Sequence, residues 1–91
     1  MAEIIFDRKF REYYNERIFI SPKLTDRFNE RVKIFCKNPA HPVLNDHPLH
    51  SNLHGCRAFS ITKDIRVIYQ IIDDNLVRFL NIGTHNQVYS S

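Results

Sequence analysis

The sequence predicts an α+β fold, and three observations carry that prediction. Residues 1–38 contain two amphipathic helical patterns, residues 39–52 have no regular period, and residues 53–82 contain three strand-like runs. A chain of 91 residues with 43% hydrophobic side chains has room for one compact domain, so we expect a single domain over residues 1–91. We expect the helical pair to pack on one face of a small, mostly antiparallel sheet.

The N-terminal part of the chain predicts a short strand followed by a helical hairpin. Glu3 to Phe6 has strand character. Apolar side chains then recur every three or four residues as far as Arg17, which predicts a helix with Asp7 as its N-cap. A second apolar stripe begins after Ser21-Pro22, an N-cap followed by proline at the first helical position. It ends at Asn38-Pro39. The apolar faces of the two helices need a common partner, which the sheet provides.

Three runs in the C-terminal part are typical of sequential antiparallel strands. They are Leu53 to Ile61, Ile65 to Ile72, and Leu76 to Ile82. Short gaps rich in turn-forming residues separate them. The middle run is apolar on both faces apart from Arg66 and Gln70, which predicts a central strand. Gly83-Thr84-His85 is expected to break the last strand and to lead into a short tail that ends at Tyr89.

Charge and cysteine content favour a cytoplasmic protein. The net charge of +3 lies entirely in residues 1–40, whereas residues 41–91 are neutral and hold all five histidines. A basic surface permits an anionic partner. The apolar run Ile4 to Phe6 is too short for a signal peptide or a membrane span, so no membrane is expected. Cys36 and Cys56 are therefore expected to be reduced thiols.

The histidines of the second half allow a zinc hypothesis that their spacing does not favour. The residues concerned are His47, His50, His54 and Cys56. Imidazole and thiolate groups bind zinc, but this spacing matches no common zinc framework. The simpler interpretation is that the loop histidines are polar surface groups, and we expect neither a metal nor another cofactor.

Four ordered motifs lie in the second half. They are Asp46-His47-Pro48-Leu49, Leu53-His54-Gly55-Cys56-Arg57-Ala58-Phe59, Asp64-Ile65-Arg66-Val67-Ile68-Tyr69 and Ile82-Gly83-Thr84-His85-Asn86-Gln87-Val88-Tyr89. This series resembles the signature of the RelE/ParE toxin superfamily, most closely its YafQ-type branch of mRNA interferases. The resemblance covers nearly the whole chain. It implies a RelE-like fold and a cytoplasmic toxin of a type II toxin–antitoxin system, which assembles with its antitoxin and, when free, cleaves mRNA on the ribosome to inhibit translation.

The same resemblance implies the active-site residues. It places four residues on active-site positions of the YafQ-type branch: His47, Asp64, His85 and Tyr89. That branch has a further histidine on the strand before the aspartate. The matching residue here is Ser60, which cannot titrate near neutral pH. Ser60 therefore puts the efficiency of cleavage in question more than its chemistry.

Acid–base cleavage of RNA needs three functions. A base deprotonates the ribose 2′-OH, cationic groups stabilise charge on the phosphate, and an acid protonates the departing 5′-oxygen. Histidine suits the proton transfers because its ordinary pKa of about 6.5 allows both protonation states in the cell. We expect His85 to be the general acid and either Asp64 or His47 to be the general base.

Four residues are expected to contact the RNA: Arg57, Arg66, Tyr89 and Ser60. Both arginines match arginines of related toxins, and a guanidinium group forms paired hydrogen bonds with phosphate. A tyrosine ring offers a surface on which a base can stack. Arg57 and Arg66 also have a purely structural interpretation, as solvated strand residues, and Tyr89 has one as a contact that holds the tail.

Two alternatives from other functional classes stay open. A ParE-like toxin shares the fold but acts by binding DNA gyrase, which needs no acid–base group. A catalytically weak member of the family would act mainly by binding its antitoxin, and Ser60 is consistent with that alternative. The presence of His47, Asp64 and His85 in one chain favours the ribonuclease.

Overall fold

The computed structural model describes residues 2–89, which form three helices and one five-stranded sheet. The strands are β1 (Glu3–Phe6), β2 (His47–Pro48), β3 (Cys56–Ser60), β4 (Ile65–Asp73) and β5 (Leu76–Thr84). The helices are α1 (Arg8–Arg17), α2 (Pro22–Lys37) and α3 (His85–Tyr89). Single 3-10 turns at Pro42–Leu44 and Ser51–Leu53 interrupt the connection between α2 and β3. The predicted α+β class is confirmed.

The caps that the sequence indicates start both N-terminal helices. The Asp7 carboxylate accepts a hydrogen bond from the backbone N–H of Lys9 at 3.1 Å. The Ser21 hydroxyl accepts one from the backbone N–H of Leu24 at 3.2 Å. Each bond satisfies an amide that has no partner within its own helix. Asn38 leaves the helical conformation at the end of α2, with φ −156° and ψ 91°, because the next residue is a proline.

The sheet has the strand order β1-β5-β4-β3-β2. Among the described strands, only the β1–β5 pair is parallel. β3, β4 and β5 pair antiparallel, as predicted, and β2, which lies in the segment expected to be a loop, adds a further antiparallel strand beside β3. β4 is the central strand, as its apolar pattern indicates. Arg66 of β4 pairs with Ser60 of β3 on one side and with Gly83 of β5 on the other.

The helical pair covers one face of the sheet with an aromatic core. Phe35 of α2 stacks on Phe59 of β3, with ring centroids 4.6 Å apart. Phe10 of α1 packs against Phe79 of β5, with ring centroids 5.5 Å apart. We call this the helix-covered face. Its opposite, the open face, carries the alternate side chains of β3 and β4, namely Ala58, Ser60, Arg66 and Ile68.

Two strand boundaries differ from the prediction. β3 begins at Cys56 rather than at Leu53, because Gly55 has φ +93°, a left-handed conformation that does not continue a strand. β5 does not stop before Gly83, since Gly83 and Thr84 still pair with β4. The residues after it form α3 rather than an irregular tail.

Candidate active site

The open face collects most of the residues that the sequence singled out. Ser60 and Arg66 are neighbours in register across β3 and β4. His47 of β2 pairs with Ala58, which lies two residues before Ser60 and on the same face of the pleated sheet. α3 lies over this face, because Val88 is buried against the cluster that contains Ala58. The open face is therefore bordered by β2, which carries His47, on one side and by α3 on the other.

α3 brings His85 and Tyr89 together. The two residues lie four positions apart, which places them on one side of a helix. Their ring centroids are 4.6 Å apart and the rings meet at 64°. The imidazole is exposed, so its polar atoms are available to a substrate.

A reciprocal pair of hydrogen bonds starts α3. The backbone N–H of Thr84 donates to Oε1 of Gln87 at 2.8 Å, and the backbone N–H of Gln87 donates to the Thr84 hydroxyl at 3.3 Å. This is a capping box, which needs Ser or Thr followed three residues later by Glu or Gln. Thr84-His85-Asn86-Gln87 has that pattern. The sequence thus contained a signal for α3 that the interpretation as a tail overlooked.

Arg66 lies beside α3 with an unused hydrogen-bond donor. Its guanidinium carbon is 5.9 Å from the centre of the Tyr89 ring. Its Nε atom is buried and has no hydrogen-bond partner in the described part of the chain, residues 2–89. A buried donor without an acceptor costs about 1–3 kcal/mol. An anionic oxygen placed here would remove that cost, and guanidinium groups bind phosphate oxygens well.

His47 is oriented by the backbone of its own loop. Its Nδ1 atom lies 2.8 Å from the carbonyl oxygen of Asn45. A carbonyl only accepts, so Nδ1 donates and carries the proton when the ring is neutral. The lone pair is then on Nε2, which is the state that a general base requires. The sequence did not single out Asn45, which adopts a left-handed conformation with φ +48°.

Asp64 lies in the turn between β3 and β4, and its side chain is exposed. Its backbone N–H donates to the Thr62 hydroxyl at 3.2 Å, so the residue helps to close the hairpin. Ile65 pairs with Thr84 in antiparallel register. Asp64 precedes Ile65 and His85 follows Thr84, so both residues lie just beyond this pair at the same end of the sheet.

Arg57 is not part of this group, contrary to the expectation that it contacts the phosphate together with Arg66. It alternates with Ala58 and lies on the helix-covered face, next to Phe59 along β3. Its Nε donates to the Asp46 carboxylate at 2.7 Å. The second carboxylate oxygen accepts a hydrogen bond from the Tyr69 hydroxyl. The Asp46 side chain is only 6% exposed and that of Arg57 is 35% exposed, so the Arg57 guanidinium is held by a buried carboxylate on the face of the sheet opposite Arg66.

The network shifts the pKa of two of its members. The hydrogen bond to Asp46 is the main cause that raises the pKa of Arg57. Burial, and then the hydrogen bond to Asp46, raise the pKa of Tyr69 well above its ordinary value of 10.0. Both shifts favour the protonated forms, which are the hydrogen-bond donors that the carboxylate needs.

The Tyr69 shift makes stability depend on pH in alkaline solution. Above about pH 10, Tyr69 in the unfolded chain loses its proton while Tyr69 in the folded chain keeps it. The folded state then binds more protons, so its stability falls as pH rises. We expect the free energy of unfolding, measured with urea at pH 9, 10 and 11, to fall as pH rises. For Tyr69→Phe it should fall less steeply. The same substitution at Tyr13 is the control. Equal slopes for the wild type and Tyr69→Phe would contradict the role of Tyr69.

Other structural features bear on the remaining expectations. Within residues 2–89, no three His, Cys, Asp or Glu side chains come together to hold a metal ion. The zinc hypothesis for the loop histidines and Cys56 therefore has no assembled site. Cys36 and Cys56 are free thiols, and burial raises the pKa of each. No helix in the described residues has the length and apolar content to cross a membrane.

Comparisons with known proteins agree with the fold and with the motif series. The family described as bacterial toxin of type II toxin–antitoxin system, YafQ, matches residues 3–90. YafQ from E. coli strain BL21(DE3) is similar with a TM-score of 0.76 and 23% identity, over 98% of this chain and 99% of its own. The E. coli DinJ–YafQ complex is similar with a TM-score of 0.74 and 25% identity, again over 98% of this chain and 99% of its own. The heterotetrameric YoeB–YefM toxin–antitoxin complex from Staphylococcus aureus is similar with a TM-score of 0.73 and 26% identity, over 93% of this chain and 98% of its own. Among curated proteins the sequence has no match.

Proposed function

The chain belongs to the YafQ family of bacterial toxins of type II toxin–antitoxin systems, and on this basis we propose that it is an endoribonuclease that cleaves mRNA on the ribosome, in the cytoplasm. One observation carries the proposal. The buried, unpartnered Nε of Arg66 lies beside Tyr89, whose ring contacts the exposed imidazole of His85. A hydrogen-bond donor for phosphate, a ring on which a base can stack and a candidate general acid are thus adjacent, which supports cleavage of a phosphodiester.

His47 and His85 act as base and acid in the proposed mechanism. Nε2 of His47 takes the proton of the ribose 2′-OH, and the 2′-oxygen attacks phosphorus. The bond from phosphorus to the 5′-oxygen breaks, and protonated His85 transfers its proton to that oxygen. The products are a 2′,3′-cyclic phosphate and a 5′-hydroxyl. In-line attack needs the base and the acid on opposite sides of the phosphate, and the strand order β5-β4-β3-β2 supports this assignment, with Arg66 between His85 and His47.

The remaining site residues bind and orient the RNA in this proposal. Arg66 binds the scissile phosphate, and its charge stabilises the negative charge that builds up in the transition state. The Ser60 hydroxyl, next to Arg66 in register, donates to a phosphate oxygen. Tyr89 stacks on a base. Asp64 is the other candidate base, and it lies at the same end of the sheet as His85 rather than opposite it. Arg57 acts through the buried network and does not touch RNA.

We propose that the chain is held inactive by an antitoxin. A relative of 25% identity forms the DinJ–YafQ complex, and one of 26% identity forms the heterotetrameric YoeB–YefM toxin–antitoxin complex. The open face of the sheet and the outer surface of helices α1 and α2 are both available to such a partner. An antitoxin that binds there is expected to elute with the chain as one larger complex in size-exclusion chromatography. It is also expected to abolish cleavage when added before the ribosomes.

Primer extension on a defined mRNA in a purified translation system tests the proposed function. We expect discrete cuts that require both the chain and ribosomes, with cyclic phosphate at the new 3′ ends. Growth arrest without cuts would overturn the ribonuclease and indicate a binding toxin, such as one that acts on DNA gyrase. A chain that neither cuts nor arrests growth but binds an antitoxin would indicate a catalytically weak member.

A further inference from the structure

We propose that Gln87 is a positioning residue for His85, an inference that rests on the proposed ribonuclease function. Gln87 does not reach the reacting atoms in this proposal. It holds the first turn of α3, and the first residue of that helix is His85. The backbone of α3 thereby sets where the imidazole stands over the open face.

The need for such a residue follows from how weakly His85 is held by its own side chain. Within residues 2–89, the described contact of its ring is with Tyr89. Tyr89 lies on the same short helix, so this contact cannot position the helix. The placement of the imidazole therefore depends on the interactions that attach α3 to the sheet.

α3 has few such attachments. It spans five residues, far below the length at which a helix is stable by itself. At the C-terminal end, Val88 is buried against Ala58 and Ile68, and Tyr89 packs on the same cluster. At the N-terminal end, the capping box contributes a hydrogen bond in which the Gln87 side chain accepts from the backbone N–H of Thr84 at 2.8 Å. Loss of that bond weakens the hold on the end of α3 that carries His85.

Gly83 provides a second, independent observation for this arrangement. A Cβ atom at residue 83 would lie 2.6 Å from Oε1 of Gln87 and 2.9 Å from Nη1 of Arg17. Real Cβ atoms do not approach polar atoms this closely, so Gln87 would have to move. The strand thus lacks a side chain where the folded-back Gln87 needs the space. Gly83 lies within extended β5, so alanine there tests crowding rather than backbone conformation.

Arg17 holds the end of β5, from which the capping box starts. Its Nη1 donates to the carbonyl oxygen of Ile82 at 2.9 Å and to the Asn81 side chain at 3.2 Å. The guanidinium carbon lies 4.2 Å from the centre of the Tyr13 ring. These contacts tie the end of β5 to α1. Because the strand that leads into α3 is held in this way, the Gln87–Thr84 pair positions the helix start relative to a fixed strand end.

Single-turnover cleavage of a ribosome-bound mRNA tests this role. For Gln87→Ala we expect the maximal rate to fall about 10-fold, less than the roughly 100-fold that a displacement of 1 Å can cost. The toxin concentration at half-maximal rate should change less than about 2-fold, because the RNA contacts remain. Gln87→Glu keeps the acceptor that the capping box needs and should restore the rate to within about 3-fold of wild type.

Hydrogen exchange of the backbone amides gives a readout that does not depend on activity. Exchange in residues 85–89 should be faster in Gln87→Ala and in Gly83→Ala than in wild type, and normal in Gln87→Glu. Asn29→Ala, an exposed substitution on α2, is the control. A Gln87→Ala chain with wild-type rate and exchange overturns the inference. An inactive Gln87→Glu chain with normal exchange also overturns it, since Gln87 would then contact the RNA directly. A wild-type chain that leaves mRNA intact overturns the proposed function itself.

Discussion

Replacing His85 with alanine is expected to lower the rate of mRNA cleavage by about 100- to 10,000-fold, the range that a general acid contributes. The loss follows because the departing 5′-oxygen then has no proton donor. The fold should remain intact, since the His85 side chain is exposed and its described contact is with the Tyr89 ring. Single-turnover cleavage on the ribosome measures the rate, and thermal unfolding checks the fold.

A matched histidine elsewhere on the surface makes the His85 result specific. His54 is exposed in the connection before β3, and His54→Ala should cleave within about 3-fold of wild type, as surface substitutions away from a site do. Folded His85→Ala protein that cleaves as fast as the wild type would overturn the assignment of the acid. If His85→Ala is inactive, Ser60→His becomes the next informative variant, because it restores the imidazole of the YafQ-type branch.

Replacing Asp46 with alanine is expected to destabilise the protein by about 3 kcal/mol. The carboxylate is 6% exposed and is the acceptor for both the Arg57 guanidinium and the Tyr69 hydroxyl. Without it, the buried Tyr69 hydroxyl loses its acceptor. Arg57 is 35% exposed, so in the variant its guanidinium turns partly toward water. The loss of stability therefore lies at the lower end of the range for a broken buried ion pair. Urea unfolding at neutral pH measures the change.

Two further variants decide how the Asp46 result is interpreted. Asp26→Ala removes an exposed carboxylate from α2 and should change stability by less than about 0.5 kcal/mol. Asp46→Leu combined with Arg57→Met and Tyr69→Phe removes all three polar partners and should recover much of the stability. If Asp46→Ala unfolds at the same urea concentration as the wild type, the network does not stabilise the fold.

The Asp46 network also has a consequence for the site. Asp46 directly precedes His47, and β2 contains only two residues, His47–Pro48. The buried carboxylate therefore anchors the strand whose next side chain is the proposed base. Asp46→Ala should lower the cleavage rate even under conditions where the protein is folded. This links stability on the helix-covered face to chemistry on the open face.

Local patterns determined much of this protein. The caps at Asp7 and Ser21 and the apolar stripes of α1 and α2 depend on residues within a few positions of one another, so the sequence alone predicts them. The same holds for β4, whose two apolar faces identify the central strand. The capping box at Thr84 and Gln87 is equally local, and α3 was predictable from it.

The tertiary structure alone decided which predicted residues share a site. A strand exposes alternate residues on opposite faces, and a shift of one residue reverses every assignment. Arg57 and Arg66 both lie on strands, yet Arg57 points toward the buried Asp46 carboxylate and Arg66 toward Tyr89. The acceptor for Tyr69 is 23 residues away in the chain. Strand register and contacts between distant residues set these partners, and no local pattern in the sequence carries that information.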